Sequence, residues 1–233
     1  MKVQLFAAFR EHQKDRKLSR QHVLLDWYPE RHWAPLIGLF TGAREGEICQ
    51  LHLNDIAYDE ECKTWVIEFA PGGDKRLKNK YSERITPIHK TLIDLGFLKY
   101  VEQMRARGET QLFPREIPDT YGNWGRKVSR WFNGERIKDK SGKKIRRHGY
   151  KEKCGIIQSD NERKNFHSFR HTLINYGKQA GLDEKILREI TGHSTGRKDA
   201  HAGYQEPYEL AKRKNAIKKV AFDIDFDVIR RWC

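Results

Sequence analysis

Three β-rich segments are crowded into one stretch of the chain, and helical periodicity surrounds them. The segments are Asp55-Ile56-Ala57-Tyr58, Trp65-Val66-Ile67-Glu68-Phe69 and Arg84-Ile85-Thr86-Pro87-Ile88, parted by turn-rich or charged connectors. This pattern predicts a small three-stranded antiparallel sheet in a mixed α/β, mostly helical domain. The second connector, Pro71 to Lys80, is long, basic and glycine-bearing, so a protruding basic hairpin is expected there. Upstream, Trp33, Leu36, Ile37, Leu39 and Phe40 form one apolar helical face, which Ile48 and Leu51 resume. Gly42 suits a break between two helices and puts Arg44 at the start of the second. Downstream, helical patterns cover 89–107, 120–133, 167–180, 183–191 and 207–219. Between the second and third of these, 135–165 reads as a basic loop or insertion. Lys and Arg dominate Arg136 to Lys153, opposed only by Asp139 and Glu152, as in a solvated loop or mobile arm.

Composition narrows the function classes. The chain has 233 residues and a formal net charge of +14, from 46 Lys+Arg against 32 Asp+Glu. One large domain is expected at this length, and the charge favours a polyanionic partner. No apolar run reaches the roughly 20 residues needed to span a bilayer, and the start lacks a signal-peptide core. Cys49, Cys62, Cys154 and Cys233 are scattered with no CxxC pair. That spacing indicates neither a zinc knuckle nor a disulfide framework, and it fits a reducing, cytoplasmic compartment.

Three further segments carry chemistry: Thr41-Gly42-Ala43-Arg44-Glu45-Gly46-Glu47-Ile48, His167-Ser168-Phe169-Arg170-His171-Thr172, and Thr191-Gly192-His193-Ser194 followed by Tyr204. Cutting and rejoining a phosphodiester without a metal requires just such groups. Arginine forks neutralise the non-bridging oxygens as charge builds. A tyrosine hydroxyl forms a covalent phosphoenzyme that conserves the bond. Lysine or histidine protonates the departing alkoxide. Acidic clusters of the two-metal kind and a P-loop glycine run are both missing from the sequence.

In this order and spacing the motifs resemble the catalytic domain of the tyrosine recombinase (phage integrase) family, over about His32 to Lys219. TGAREGEICQL is similar to the family's arginine box, HSFRHT to its His-x-x-Arg box, and ITGHS with a later tyrosine to its C-terminal motif. The resemblance implies that Arg44 and Arg170 clamp the scissile phosphate, and that His167 transfers a proton near it. His193 would hydrogen-bond a non-bridging oxygen, and Tyr204 would attack to leave a 3′-phosphotyrosyl bond. It also implies a general-acid lysine on the β-hairpin. Lys75, Lys78, Lys80 and, more distantly, Lys90 are candidates; KNKYSERITPI favours Lys78, with Lys80 left open. Glu47, one turn after Arg44, is expected to orient it. Lys75, Arg76, Lys80, Lys143, Lys144, Arg146 and Arg147 are expected DNA contacts. The implied partners are double-stranded DNA, further copies of the chain in a tetramer on two sites, and accessory DNA-bending proteins. No cofactor is implied.

The expected organisation is a polar lead-in at 1–30, a catalytic domain at 31–219 and a tail at 220–233. The tail's apolar residues, Val220 to Ile229, either dock on a neighbour or fold back. The family normally carries a core-binding domain before this one, so the chain is expected to be a catalytic fragment. Plainer readings stand beside these. His167 and His171 lie at i, i+4, as zinc ligands do, with His193 as a third; against this, Ser168 stands where a hydrolase helix needs Glu, and His171 is expected to pack inside the domain. His193 also suits a helix C-terminal cap. Tyr208 and Tyr176 compete with Tyr204. A type IB topoisomerase and a non-catalytic DNA-binding protein are the rival functions.

Overall fold

The computed structural model describes residues 28–156, 164–193 and 209–227. Helix α1 (Pro29–Thr41) begins with proline in its first turn and stops at Gly42, whose left-handed φ of 63° lets its N–H return to Gly38 O. Nearly every side chain from Glu30 to Thr41 is buried, so α1 runs through the core rather than over it. Trp33 packs against Phe97 and Tyr100 at one end, and Phe40 against His89 and Phe222 at the other. The short helix α2 (Glu45–Cys49) follows directly, and Arg44 is its N-cap.

The sheet is as the three β-rich segments predict. Strands β1 (Ile56–Asp59), β2 (Thr64–Phe69) and β3 (Arg84–Pro87) are antiparallel in the order β1-β2-β3. Ile56 faces Ile67, and Val66 faces Pro87. In the β2–β3 connector, Gln50 clamps the backbone of Arg76 from both sides at 2.9 Å, and Lys75 is bound to Asp55 at 2.6 Å. The Lys75–Arg76 part of the connector is therefore fastened to the segment after α2.

The expected helix over 89–107 is two: α3 (Lys90–Asp94) and α4 (Phe97–Ala106), parted where Gly96 takes φ 93°. The next pattern, 120–133, is helical only over α5 (Arg126–Asn133). Its first residues instead turn around Asp119, whose Oδ1 accepts the N–H groups of Tyr121 and Asn123 at 2.9 Å.

The basic run differs most from expectation. Instead of a solvated loop it forms a hairpin, β4 (Glu135–Lys138) with β5 (Lys144–Arg147), followed by the helical turn α6 (Tyr150–Lys153). Ile137 pairs with Ile145, and Asp139 Oδ1 collects the N–H groups of Ser141 and Lys143 across the Gly142 turn. A local turn and a single apolar pair outweigh the like-charge repulsion along the run.

Helices α7 (Ser168–Gln179), α8 (Glu184–Thr191) and α9 (Leu210–Ile217) complete the domain. Helix α7 packs on α1, and α8 and α9 pack on β3. After α9 the chain returns to its own core: Val220 and Phe222 are buried, and Phe222 and Phe226 both lie against Phe40. Among the described residues no helix is long and apolar enough to cross a membrane.

Candidate active site

Two glycines bring the motifs together. A Cβ on Gly42 would stand 2.7 Å from Thr191 Cγ2, so the α1–α2 turn presses directly on the end of α8. Gly192 also has a left-handed φ, 66°, and a Cβ there would stand 2.7 Å from Arg84 Nη1. Both positions need the conformation and the missing side chain together. Arg170 on α7 closes the same junction, donating from Nε to Gly42 O at 2.5 Å.

Glu47 is the centre of the cluster. Its Oε1 accepts from Arg44 Nη1 at 2.5 Å, and its Oε2 accepts from the Arg44 backbone N–H and from Arg84 Nη2, both at 3.0 Å. Arg170 Nη2 is 3.8 Å from the same Oε2. Burial alone would raise the pKa of Glu47. Arg84, and then the hydrogen bonds from Arg44, overcome that and hold it below the usual carboxylate range. Glu47 does more than the expected orientation of Arg44, because among the described residues it is the one carboxylate bridging three arginines.

Arg170 is 1% exposed, yet its Nη1 and Nη2 have no hydrogen-bond partner. Burial, then the neighbouring Arg44, lowers its pKa to about 10, which leaves it charged at neutral pH. Arg44 is more open, with its side chain 23% exposed, and it also donates to Ser82 Oγ at 2.8 Å. Among the described residues, one carboxylate against Arg44, Arg84 and Arg170 leaves an excess of two positive charges around buried, unfilled donors. Such a site suits an anion with several oxygen acceptors.

The histidines are tuned by the same cations. Burial, then Arg170, His171 and Arg44, lowers the pKa of His167 to about 4. His193 is lowered by burial and then by Arg170 and Arg44. Both are neutral at pH 7 and can each donate one N–H and accept one proton. His193 follows Gly192, and its backbone N–H closes the end of α8 on Arg188 O at 3.0 Å. The cap is thus made by the backbone, and the exposed imidazole is left available. His171 is exposed rather than packed inside as expected; its ring meets that of His167 edge-on at 5.1 Å. Among the described residues no group of three His, Cys, Asp or Glu could hold a metal, so the zinc grouping does not assemble.

The hairpin lysines separate. Lys75 is held by Asp55 with its side chain only 11% exposed, so it is not presented as a free cation. Lys78 is exposed and lies next to Asn79, whose Oδ1 accepts from Ser82 Oγ at 3.2 Å, and Ser82 in turn holds Arg44. The Lys80 side chain and Tyr204, with its rival Tyr208, lie outside the described residues. Arg76 is exposed and donates to Tyr121 O. On the basic hairpin Lys143 and Lys144 are exposed, whereas Arg146 is paired with Glu152 and Arg147 with Glu135. A cleft of about 310 Å³ opens beside it, lined by Arg31, Lys127, Lys153, His148 and the pair Arg130 and Arg147 that share Glu135, around the stacked rings of Trp131 and Tyr150.

Sequence reasoning passed over Ser82 and Arg84. Both stand in the Ser-x-Arg stretch that marks Lys78, and the signal was the arginine itself on an otherwise apolar strand.

A family model described as Phage integrase family matches residues 33–199. Among solved structures, the integrase from mycobacterium phage Brujita is similar, with 16% sequence identity and a TM-score of 0.46. The similarity covers 94% of this chain and 64% of that one. No curated protein matches the chain.

Proposed function

The chain belongs to the phage integrase family, and on that premise we propose that it is a site-specific DNA recombinase working through a covalent 3′-phosphotyrosyl intermediate, without a metal. The observation that carries this reading is the buried Arg170 with two unpartnered guanidinium nitrogens, set with Arg44 around one carboxylate. Burying such donors unsatisfied is costly, and a DNA phosphate supplies the oxygens that would satisfy them.

In the proposed step the Tyr204 hydroxyl attacks the scissile phosphorus in line. The P–O3′ bond is retained, a P–O(Tyr) bond forms, and the P–O5′ bond breaks. Neutral His167 accepts the tyrosine proton. Lys78 delivers a proton to the leaving 5′-oxygen, so a free 5′-hydroxyl departs. Arg44, Arg170 and the His193 N–H take up the charge that grows on the non-bridging oxygens. Attack by a second 5′-hydroxyl reverses each transfer and rejoins the strand, so no nucleotide hydrolysis is required. Lys143, Lys144 and the cationic cleft contact the backbone of the duplex away from the cut, where each neutralised phosphate releases counterions. Exchange between two sites takes a tetramer, aided by DNA-bending proteins.

The test is a nicked suicide duplex incubated with the protein in EDTA and resolved under denaturing conditions. A covalent protein–DNA band that disappears with Tyr204→Phe is expected. A band that survives Tyr204→Phe, or one that requires added metal, overturns the reading. Relaxation of supercoiled DNA without site preference would turn it toward a topoisomerase.

A further inference from the structure

Arg84 is buried, with its side chain 3% exposed, and its guanidinium uses each of its three nitrogens on a different segment. Nε donates to Ile190 O at 2.9 Å, Nη1 to Ser82 O at 2.5 Å, and Nη2 to Glu47 Oε2 at 3.0 Å. Its face lies 4.1 Å from the centre of the Phe69 ring. Each acceptor belongs to a segment that carries a group of the proposed reaction. Ile190 lies three residues before His193. Ser82 lies four after Lys78 and also receives Arg44. Glu47 holds Arg44 and faces Arg170. Only a rigid planar fork reaches three acceptors in fixed directions; an ammonium on a flexible stem does not. The glycine before His193 follows from the same packing, since a Cβ there would meet this guanidinium.

We infer that Arg84 is a positioning residue that keeps Arg170 available to the phosphate by holding the second oxygen of Glu47. Glu47 has two carboxylate oxygens: the Arg44 side chain takes Oε1, and Oε2 is shared by the Arg44 backbone N–H and Arg84 Nη2. With Arg84 in place, Oε2 stays 3.8 Å from Arg170 Nη2, too far for a hydrogen bond. Without Arg84, Oε2 keeps only the Arg44 backbone N–H, and its other lone pair can turn to Arg170 and fill the donors that the phosphate would use. Arg84 itself does not touch the DNA.

This inference rests on the proposed strand-transfer reading, and the experiment separates the two. Single-turnover adduct formation on the suicide duplex is compared with DNA affinity for wild type, Arg84→Met, and Arg84→Met combined with Glu47→Gln. Arg84→Met is expected to cleave about 100-fold more slowly at nearly unchanged DNA affinity. Adding Glu47→Gln, which removes the competing anion, is expected to restore about tenfold of that loss. A purely structural role predicts the opposite, because the second substitution would deepen the defect. Additive losses, or a fall in affinity matching the fall in rate, overturn the inference. If Arg84→Met does not fold, Arg84→Lys keeps the buried charge and is read the same way: about tenfold slower cleavage at unchanged affinity supports the inference, and wild-type rate overturns it. Failure of the wild type to form an adduct would instead sink the strand-transfer reading.

Discussion

Glu45 and Glu47 sit two residues apart on α2, about 200° around the helix from one another, in environments of opposite charge. Glu47 faces Arg44, Arg84 and Arg170 and is held ionised. Glu45 faces away from them. Burial, opposed in part by a hydrogen bond with Ser129 and reinforced by the nearby Glu116, raises its pKa to about 8. Glu116 is itself raised to about 7, by burial and then by Glu30, and burial raises Glu30. Desolvation acts the same way on both sides of the helix, and the partners decide the outcome. The short helix therefore carries one negative charge toward the arginines and a mainly protonated acid, Glu45, on its other face.

The largest test of this contrast is Glu47→Gln. It leaves Arg84 and Arg170 buried without a counter-charge and is expected to cost about 3–5 kcal/mol in urea unfolding. A loss below about 1 kcal/mol would mean that the arginine pairing does not hold this side together. A smaller effect of opposite sign is expected for Glu45→Gln. The folded pKa of Glu45 lies above its unfolded value, so the unfolded chain releases the proton first as pH rises. Stability contributed by this group is full below the unfolded value near 4.5 and is lost progressively up to about pH 8. Glu45→Gln is expected to leave stability unchanged at pH 4.5 and to raise it by about 2 kcal/mol at pH 8.5, measured by parallel urea melts. Parallel pH profiles for variant and wild type would refute the neutral acid. The smallest effect is on rate. The arginines that hold Glu47 charged also help hold His167 neutral, with its pKa at about 4. Adduct formation should change by less than about twofold between pH 5.5 and 7.5, and a step near pH 6.5 would show an ordinary histidine instead.

Much of this was legible in one dimension because the relevant physics is local. β-Branched and aromatic residues between turn-rich connectors marked β1 to β3, and Gly42 marked the end of α1. Arg44 and Glu47 lie three apart, which places them on one helical face, and the structure joins them there. The hairpin at 135–147 was misread because its Lys and Arg content outweighed a quieter signal, two isoleucines flanking Asp139 to Gly142. Helix breaks at Gly96 and around Asp119 were hidden by apolar residues that continue the pattern through them.

By itself, then, the sequence determined the three-stranded sheet and most of the helices, the family, and which residue types meet near a phosphate. Only the tertiary structure decided their charge states and their freedom. Arg170 reaches Gly42 across 128 residues, and Arg84 reaches Ile190 across 106. Whether Lys75 is spent on Asp55, whether Glu45 keeps its proton, and whether Arg170 keeps two unused donors all depend on such distant neighbours. Spacing along a chain sets which face a side chain occupies, but the free energy of a charge is set by the depth and company in which folding places it.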